Sequence, residues 1–148
     1  MFNQSIVKMD ESHIAELAGL EAVCFSAPWP AGSLASELDN PQAVFFVSVI
    51  NRRVAGYAGM HDILGEGYVT NVAVFPEFRR HGVGTALMNA LLDYGHLHDL
   101  TFITLEVRPG NSAAISLYER LGFERAGIRK DFYIKPSEDG LIMTRFFM

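Results

Sequence analysis

Cys24 is the only cysteine in 148 residues. An intrachain disulfide needs a second thiol and a thiolate zinc cluster needs more, so both are excluded. No stretch approaches the roughly 20 consecutive apolar residues that span a bilayer as a helix, so no membrane association is expected. The opening M-F-N-Q-S-I-V-K-M-D lacks the apolar segment of a secretory signal. Positive charge is scarce, with 12 Lys and Arg against 17 Asp and Glu, a formal net charge of −5. Bulk attraction to nucleic acid is therefore not expected. His13, His61, His81, His96 and His98 form no metal-ligand pattern, and His96 and His98, two apart on a helix, point in different directions. No metal is expected. Repeats, low-complexity tracts and linkers are missing too. These absences leave a reducing, cytoplasmic setting and one domain over residues 1–148, a monomer or weak dimer, as the expectation.

What is present is a globular balance, 49% hydrophobic and 20% charged. Ser5 to Met9 predicts a short strand. Asp10 caps a helix that runs to about Val23, with Ile14, Leu17, Ala18 and Glu21 at helical spacing. C-F-S-A-P-W-P breaks it, and Gly32 to Leu38 predicts a second, short helix ended by Asp39-Asn40-Pro41. Strands follow at Ala43 to Ile50, Arg53 to His61 and Tyr68 to Phe75, with turns at Asn51-Arg52 and Leu64 to Gly67. In the third of them, alternation puts Tyr68, Thr70, Val72 and Val74 on one face and Val69, Asn71, Ala73 and Phe75 on the other. Val83, Ala86, Leu87, Ala90, Leu91, Tyr94 and Leu97 then form the strongest amphipathic stripe in the chain. Thr101 to Val107 predicts a strand. Asn111 caps a helix with Ala114, Leu117, Tyr118 and Leu121 on one stripe and Gly122 at its exit. Arg125 to Ile134 and Leu141 to Phe147 close the chain as a strand pair around residues 136–140. The order β-α-α-β-β-β-α-β-α-β-β predicts an α/β (α+β) fold: a mixed, mostly antiparallel sheet of about seven strands with helices on both faces.

The chemistry-bearing feature is F-R-R-H-G-V-G-T, Phe78 to Thr85, between a strand and the strongest helix. The first turn of a helix has unpaired N–H groups, and with the helix dipole they favour an anion. Gly82 and Gly84 let a phosphate approach the backbone, and Arg79 and Arg80 add charge-assisted bonds. The spacing is Arg-x-x-Gly-x-Gly. No Gly-Lys-Ser/Thr follows, so it is not a P-loop, and Leu87 stands where a dinucleotide fingerprint has its third glycine. A basic turn with glycines for close packing is the alternative that the residues alone leave open.

N-V-A-V-F-P-E-F-R-R-H-G-V-G-T-A-L-M resembles motif A of the GNAT superfamily of N-acetyltransferases, in which Q/R-x-x-G-x-G/A binds the pyrophosphate of acetyl-CoA. L-E-V-R-P-G-N-S-A-A-I-S-L-Y-E-R-L-G-F-E resembles the next segment of that family, and the element order matches its fold over the whole chain. C-F-S-A-P-W, R-K-D-F-Y and E-D-G-L-I-M are similar to the RimI-type ribosomal-protein-alanine N-acetyltransferases. Pro30, Phe132 and Gly140 depart from that pattern, where serine, tyrosine and alanine are usual, and all three lie near the expected acceptor groove.

The resemblance implies acetyl-CoA as cosubstrate and the N-terminus of a ribosomal or other protein as acceptor. Glu106 matches the general base; on its own, T-F-I-T-L-E-V reads first as an edge strand with its carboxylate in water, and the resemblance reverses that. Tyr118 matches the general acid that protonates the CoA sulfur, and by position alone it is a core tyrosine. Val72, Ala73 and Val74 match the strand that holds the acetyl-pantetheine arm, and Arg80, His81, Gly82, Val83, Gly84 and Thr85 match the pyrophosphate loop. Asn111 matches a CoA contact and is also an ordinary helix cap. Trp29 and Tyr133 are candidates for the acceptor groove, and Trp29 serves packing as readily. Cys24 reads as a small buried hydrophobe, since direct transfer needs no acyl-enzyme. Freeing an α-ammonium, pKa about 7.7–8.0, costs about 1 kcal/mol at pH 7, against roughly 4–5 for lysine near 10.4. A carboxylate base is thus better matched to an N-terminus. Acetylation of lysine or a small amine, or a silent CoA-binding module, are the alternatives.

Overall fold

A computed structural model describes residues 3–134 and 137–147. The strands are β1 (Gln4–Lys8), β2 (Ala43–Ile50), β3 (Arg53–Ile63), β4 (Glu66–Val74), β5 (Phe102–Val107), β6 (Glu124–Ile134) and β7 (Ser137–Phe146). The helices are α1 (Ile14–Cys24), α2 (Ala31–Ser36), α3 (Val83–Leu97) and α4 (Ser112–Arg120), with 3-10 turns at Glu11–His13, Glu37–Asp39 and Pro76–Phe78. One seven-stranded sheet has the order β1-β2-β3-β4-β5-β7-β6. Only β4 and β5 run parallel; the other neighbours are antiparallel. No helix among the described residues is long and apolar enough to cross a membrane.

Local chemistry accounts for the turns. Asn51 and Arg52 both take positive φ (50° and 63°), the mirror-image turn that matches strand twist. The second hairpin turns on Leu64-Gly65 alone, so β3 and β4 reach further than the expected 64–67 turn allowed. Asp10 and His13 cap each other's backbone before α1 begins. Gly122 closes α4 at φ 88°: its N–H donates to the Glu119 carbonyl and that of Phe123 to the Tyr118 carbonyl, a Schellman exit. Pro136 of the expected closing turn lies outside the described residues, while Ser137 to Gly140 belong to β7.

Two apolar layers sandwich the sheet. One, under α3 and α4, contains Met60, Leu87, Met88, Leu91, Ile103, Leu105, Ile115 and Met143. The other, under α1 and α2, contains Leu17, Leu20, Leu34, Phe45, Val47 and Tyr57. The inward stripe of α3 is rotated from the expected one. Met88, Leu92 and Gly95 are buried, and Leu97 is 78% exposed. The Tyr94 hydroxyl, bonded to Asp62 Oδ2 at 2.8 Å, anchors the flank of the helix.

The sheet departs from simple alternation in β4. Gly59 pairs with Asn71 and Met60 with Val69, which leaves Thr70 without a partner. This extra residue reverses the pleat. Val69 joins Val72 and Val74 against the α3 layer, and Ala73 turns to the α1 layer. A bulge also bends its strand and ends pairing. Pairing of β4 with β5 stops at Tyr68–Thr104, just before the bulge. The second crossover is also modified: β7 inserts between β5 and β6 instead of leaving them adjacent.

The rotated stripe yields a stability prediction. Leu91→Ala lowers the unfolding free energy by about 2–5 kcal/mol, whereas Leu97→Ala stays within about 0.5. Urea midpoints of the two variants measure this.

Candidate active site

The end of β4–β5 pairing opens a notch whose walls are residues 69–74 on one side and 105–107 on the other. The Phe75 N–H donates to the Ala55 carbonyl on β3. Alternation along the strand therefore aims the N–H groups of Val72 and Val74 into the notch. Ala73 is buried, and Val72 and Val74 are half-buried. The Val74 carbonyl accepts from Arg79 Nε at 3.1 Å and from the Cys24 thiol at 3.7 Å. Arg79 Nη2 also reaches Cys24 Sγ at 3.5 Å. Arg79, expected at the anion loop, is thus turned back to hold the end of β4. Cys24 is half-buried in this bracing contact.

At the head of α3, Arg80 has φ 64° and Gly82 φ 79°. A left-handed arginine costs about 1–2 kcal/mol, so the surrounding loop must impose it. Gly82 is the N-cap and no side chain caps the helix. The first intrahelical bond is Ala86 N–H to the Gly82 carbonyl, which places the N–H groups of Val83, Gly84 and Thr85 ahead of it. A Cβ on Gly82 would meet nothing within 4 Å, and one on Gly84 only Leu117 at 3.4 Å. Close packing therefore does not demand Gly84, and the space above the loop is open. Arg80 and His81 are exposed beside it. Bare amides, a helix dipole, a cation and room together fit a diphosphate.

Glu106 sits on the end of β5 that pairs with β7, opposite Ile142, but no longer with β4, and its side chain is 25% exposed. Its Oε1 accepts from Arg129 Nη1 at 3.1 Å. Tyr118, on α4, is 6% exposed and packs on Phe123 with ring centroids 5.8 Å apart. Burial, and next the proximity of Tyr133, push its phenol up to about 12. Tyr133 on β6 is also raised to about 12: burial lifts it, the Arg108 guanidinium opposes this, and Glu106 and Glu138 add to it. Tyr133 therefore lies within electrostatic reach of both Glu106 and Tyr118. Arg108 stacks over the Tyr133 ring at 4.2 Å and pairs with Glu138 at 3.3 Å. Asn111 caps α4, its Oδ1 accepting from the Ala114 N–H at 3.2 Å. Trp29 packs against Phe45 with ring centroids 6.5 Å apart.

Sequence reasoning missed a buried acid. Glu21, only 1% exposed, accepts from the Tyr57 hydroxyl (2.7 Å), the Trp29 N–H (2.9 Å) and Asn71 Nδ2 (3.5 Å). It ties α1, the loop bearing Trp29, β3 and β4 at one point. Burial and the neighbouring carboxylate hold the Tyr57 phenol above its ordinary range. A glutamate on an apolar helical stripe was the available signal. Arg129, in the quoted R-K-D-F-Y, was likewise left unassigned. Among the described residues no group of three His, Cys, Asp or Glu can hold a metal ion.

Comparison with known proteins agrees with this arrangement. The family described as acetyltransferase (GNAT) matches residues 14–123. A Bacillus subtilis protein provisionally named ribosomal protein bS18-alanine N-acetyltransferase is 35% identical over 135 residues, covering 90% of this chain and 87% of its own. The Escherichia coli ribosomal protein bS18-alanine N-acetyltransferase is 32% identical over 136 residues, covering 92% and 90%. A crystal structure of the ribosomal-protein-S18-alanine N-acetyltransferase from Escherichia coli superposes with TM-score 0.89 at 31% identity, covering 97% of this chain and 94% of that one.

Two outcomes follow from this geometry. Gly84→Ala, in the first turn of a helix where a Cβ fits, leaves thermal stability unchanged or raises it by up to about 1 kcal/mol. It weakens acetyl-CoA binding at least tenfold, as calorimetry reads it. The Tyr118 phenol stays protonated up to about pH 12 in the folded state. An unfolded phenol titrates near 10. The stability it contributes is whole below about pH 10 and is lost as pH rises toward the folded value, because the unfolded chain sheds its proton first. The tyrosinate absorbance of wild type minus Tyr118→Phe checks this.

Proposed function

The chain belongs to the acetyltransferase (GNAT) family, and on that premise we propose that one domain, residues 1–148, acetylates the N-terminal α-amine of a protein. The preferred acceptor is the N-terminal alanine of a small-subunit ribosomal protein, as named for the relatives in Bacillus subtilis and Escherichia coli. The observation that carries this reading is the notch between β4 and β5, with Glu106 on its β5 wall and Tyr133 coupled to both Glu106 and Tyr118.

The roles follow from the chemistry of each group. The loop Arg80 to Thr85 holds the diphosphate of acetyl-CoA, so the acetyl-pantetheine arm runs along the open edge of Val72, Ala73 and Val74. Asn111 meets the coenzyme while capping α4. The N–H groups of Val72 and Val74 donate to the thioester oxygen, where negative charge develops. The amine nitrogen attacks the carbonyl carbon, and Glu106 takes the amine's proton through water. The carbon–sulfur bond then breaks. Tyr118, held neutral by burial, hydrogen-bonds the sulfur as charge develops on it and hands over its proton, which the phenolate regains through water from the proton that Glu106 has taken. A neutral phenol at the leaving group spares the thiolate from leaving as a bare anion. Trp29 and Tyr133 border the acceptor groove, one on the α1–α2 loop and one on β6.

The α-amine is favoured over lysine by deprotonation cost, about 1 against roughly 4–5 kcal/mol at pH 7. The reading includes no metal, no nucleic acid and no membrane, and a monomer or weak dimer in the cytoplasm. Glu106→Gln and Tyr118→Phe each lower kcat about 10²–10⁴-fold while the Kd for acetyl-CoA stays within about twofold. The assay is thiol release with peptides of varied first residue, lysine peptides and polyamines. Wild-type turnover in both variants removes the roles, and preference for lysine or polyamine removes the acceptor.

A further inference from the structure

We propose that Arg129 is a specificity-determining residue of the acceptor pocket: paired with Glu106, it makes the pocket select the neutral amine over the ammonium. This rests on the α-amine reading above. The observation is geometric. Arg129 Nη1 donates to Glu106 Oε1 at 3.1 Å, across from β6 to β5. Among the described residues the other oxygen, Oε2, accepts no hydrogen bond, so one side of the carboxylate is left for an incoming amine or its water.

The strand is built to present this arginine. Arg129 pairs with Gly140 and Tyr133 with Glu138, so Lys130, Asp131 and Phe132 stand opposite Asp139 alone. Asp131 takes φ 52°, and its N–H donates to Asp139 Oδ1 at 2.9 Å. Bulges near active sites re-aim side chains. Here the bulge brings the Phe132 ring under the guanidinium, 4.7 Å from its central carbon to the ring centroid. Phe132 has no hydroxyl to compete for Glu106, and its ring face steadies a cation.

The acceptor arrives mostly as an ammonium, since its pKa is about 7.7–8.0. A lone carboxylate favours the charged form of a nearby amine and so traps it without its lone pair. With the guanidinium on the same carboxylate the pair is neutral, and an ammonium meets repulsion beside attraction. The other charged groups around the pocket largely have partners of their own. Just past the end of β5, Arg108 pairs with Glu138 of β7. Glu138 also accepts from the Gly110 N–H at 3.1 Å. Asp139 is bound by the Asp131 N–H, and Lys130 and Asp131 are exposed on the bulge. Tyr118 of α4 and Tyr133 of β6 are held neutral at working pH. Among the described residues, Arg129 is the cation in direct contact with Glu106.

The test is the pH profile of kcat and KM for wild type, Arg129→Gln and Arg129→Lys, from about pH 6 to 10 across the α-amine range. In Arg129→Gln the acid limb moves up by about one pH unit, as loss of a neighbouring charge allows. At pH 7, KM for the acceptor falls and kcat falls with it, and the rate converges on wild type in alkali. Arg129→Lys restores the wild-type limb. A limb that does not move, or an equal loss at every pH, overturns the proposal; acetyl-CoA affinity and circular dichroism establish that the variants are folded. Turnover of lysine or polyamine in place of N-termini overturns the α-amine acceptor alone, because the shift is then read on that amine. No turnover of any amine overturns both.

Discussion

One unpaired residue, Thr70, opens the site. Without it β4 would keep its pleat and remain beside β5 along its length. With it, the strand bends, the pairing ends at Tyr68, and the edge carrying the Val72 and Val74 amides is left without a strand. Exposed strand edges are a hazard, because free N–H groups invite another chain. Here the free edge is short, recessed between two layers and braced at its end by Arg79 on the Val74 carbonyl. A thioester arm is a suitable partner for such an edge, since it offers acceptors at intervals and a carbonyl to polarise.

The notch stays open because each wall is anchored separately. Glu21 fastens β4 through Asn71 and β3 through Tyr57, and it holds the loop that bears Trp29 through a backbone amide. Burying a carboxylate is costly, and accepting several hydrogen bonds offsets much of that cost. On the far wall, Arg108 and Glu138 tie the end of β5 to β7, while Phe123 backs Tyr118. The two walls therefore do not depend on each other for rigidity. That independence lets a ligand enter between them without unfolding either.

Electrostatics divides labour inside the notch. Tyr118 is buried and raised, which suits the proposed role of a neutral donor at sulfur. Glu106 is partly solvated and shared with an arginine, which suits the proposed role of a base working through water. An ordinary carboxyl titrates at about 4 and an ordinary phenol at about 10, and burial of Tyr118 widens that gap from the phenol side.

Periodicity and turn chemistry made most of the fold legible: the order of the elements, the Asn51-Arg52 hairpin, the Asn111 cap and the Gly122 exit are all local signals. The glycine loop was legible as a permissive strand-to-helix turn encoded within a few residues, whereas Glu106 and Tyr118 were singled out only through the resemblance to a family. The bulge at Thr70 was not, since an extra residue leaves no mark in a strand of β-branched side chains. Nor was the rotation of α3 that exposes Leu97, which is set by what the helix packs against. The partners of Glu21, Arg79 and Arg129 were out of reach for the same reason. Sequence by itself determined which segments form and where the glycine turn falls, because those depend on near neighbours in the chain. Only tertiary structure decided where the sheet parts and which charges meet there, because Glu21 and Asn71, or Glu106 and Arg129, are distant along the chain and meet only when the layers pack.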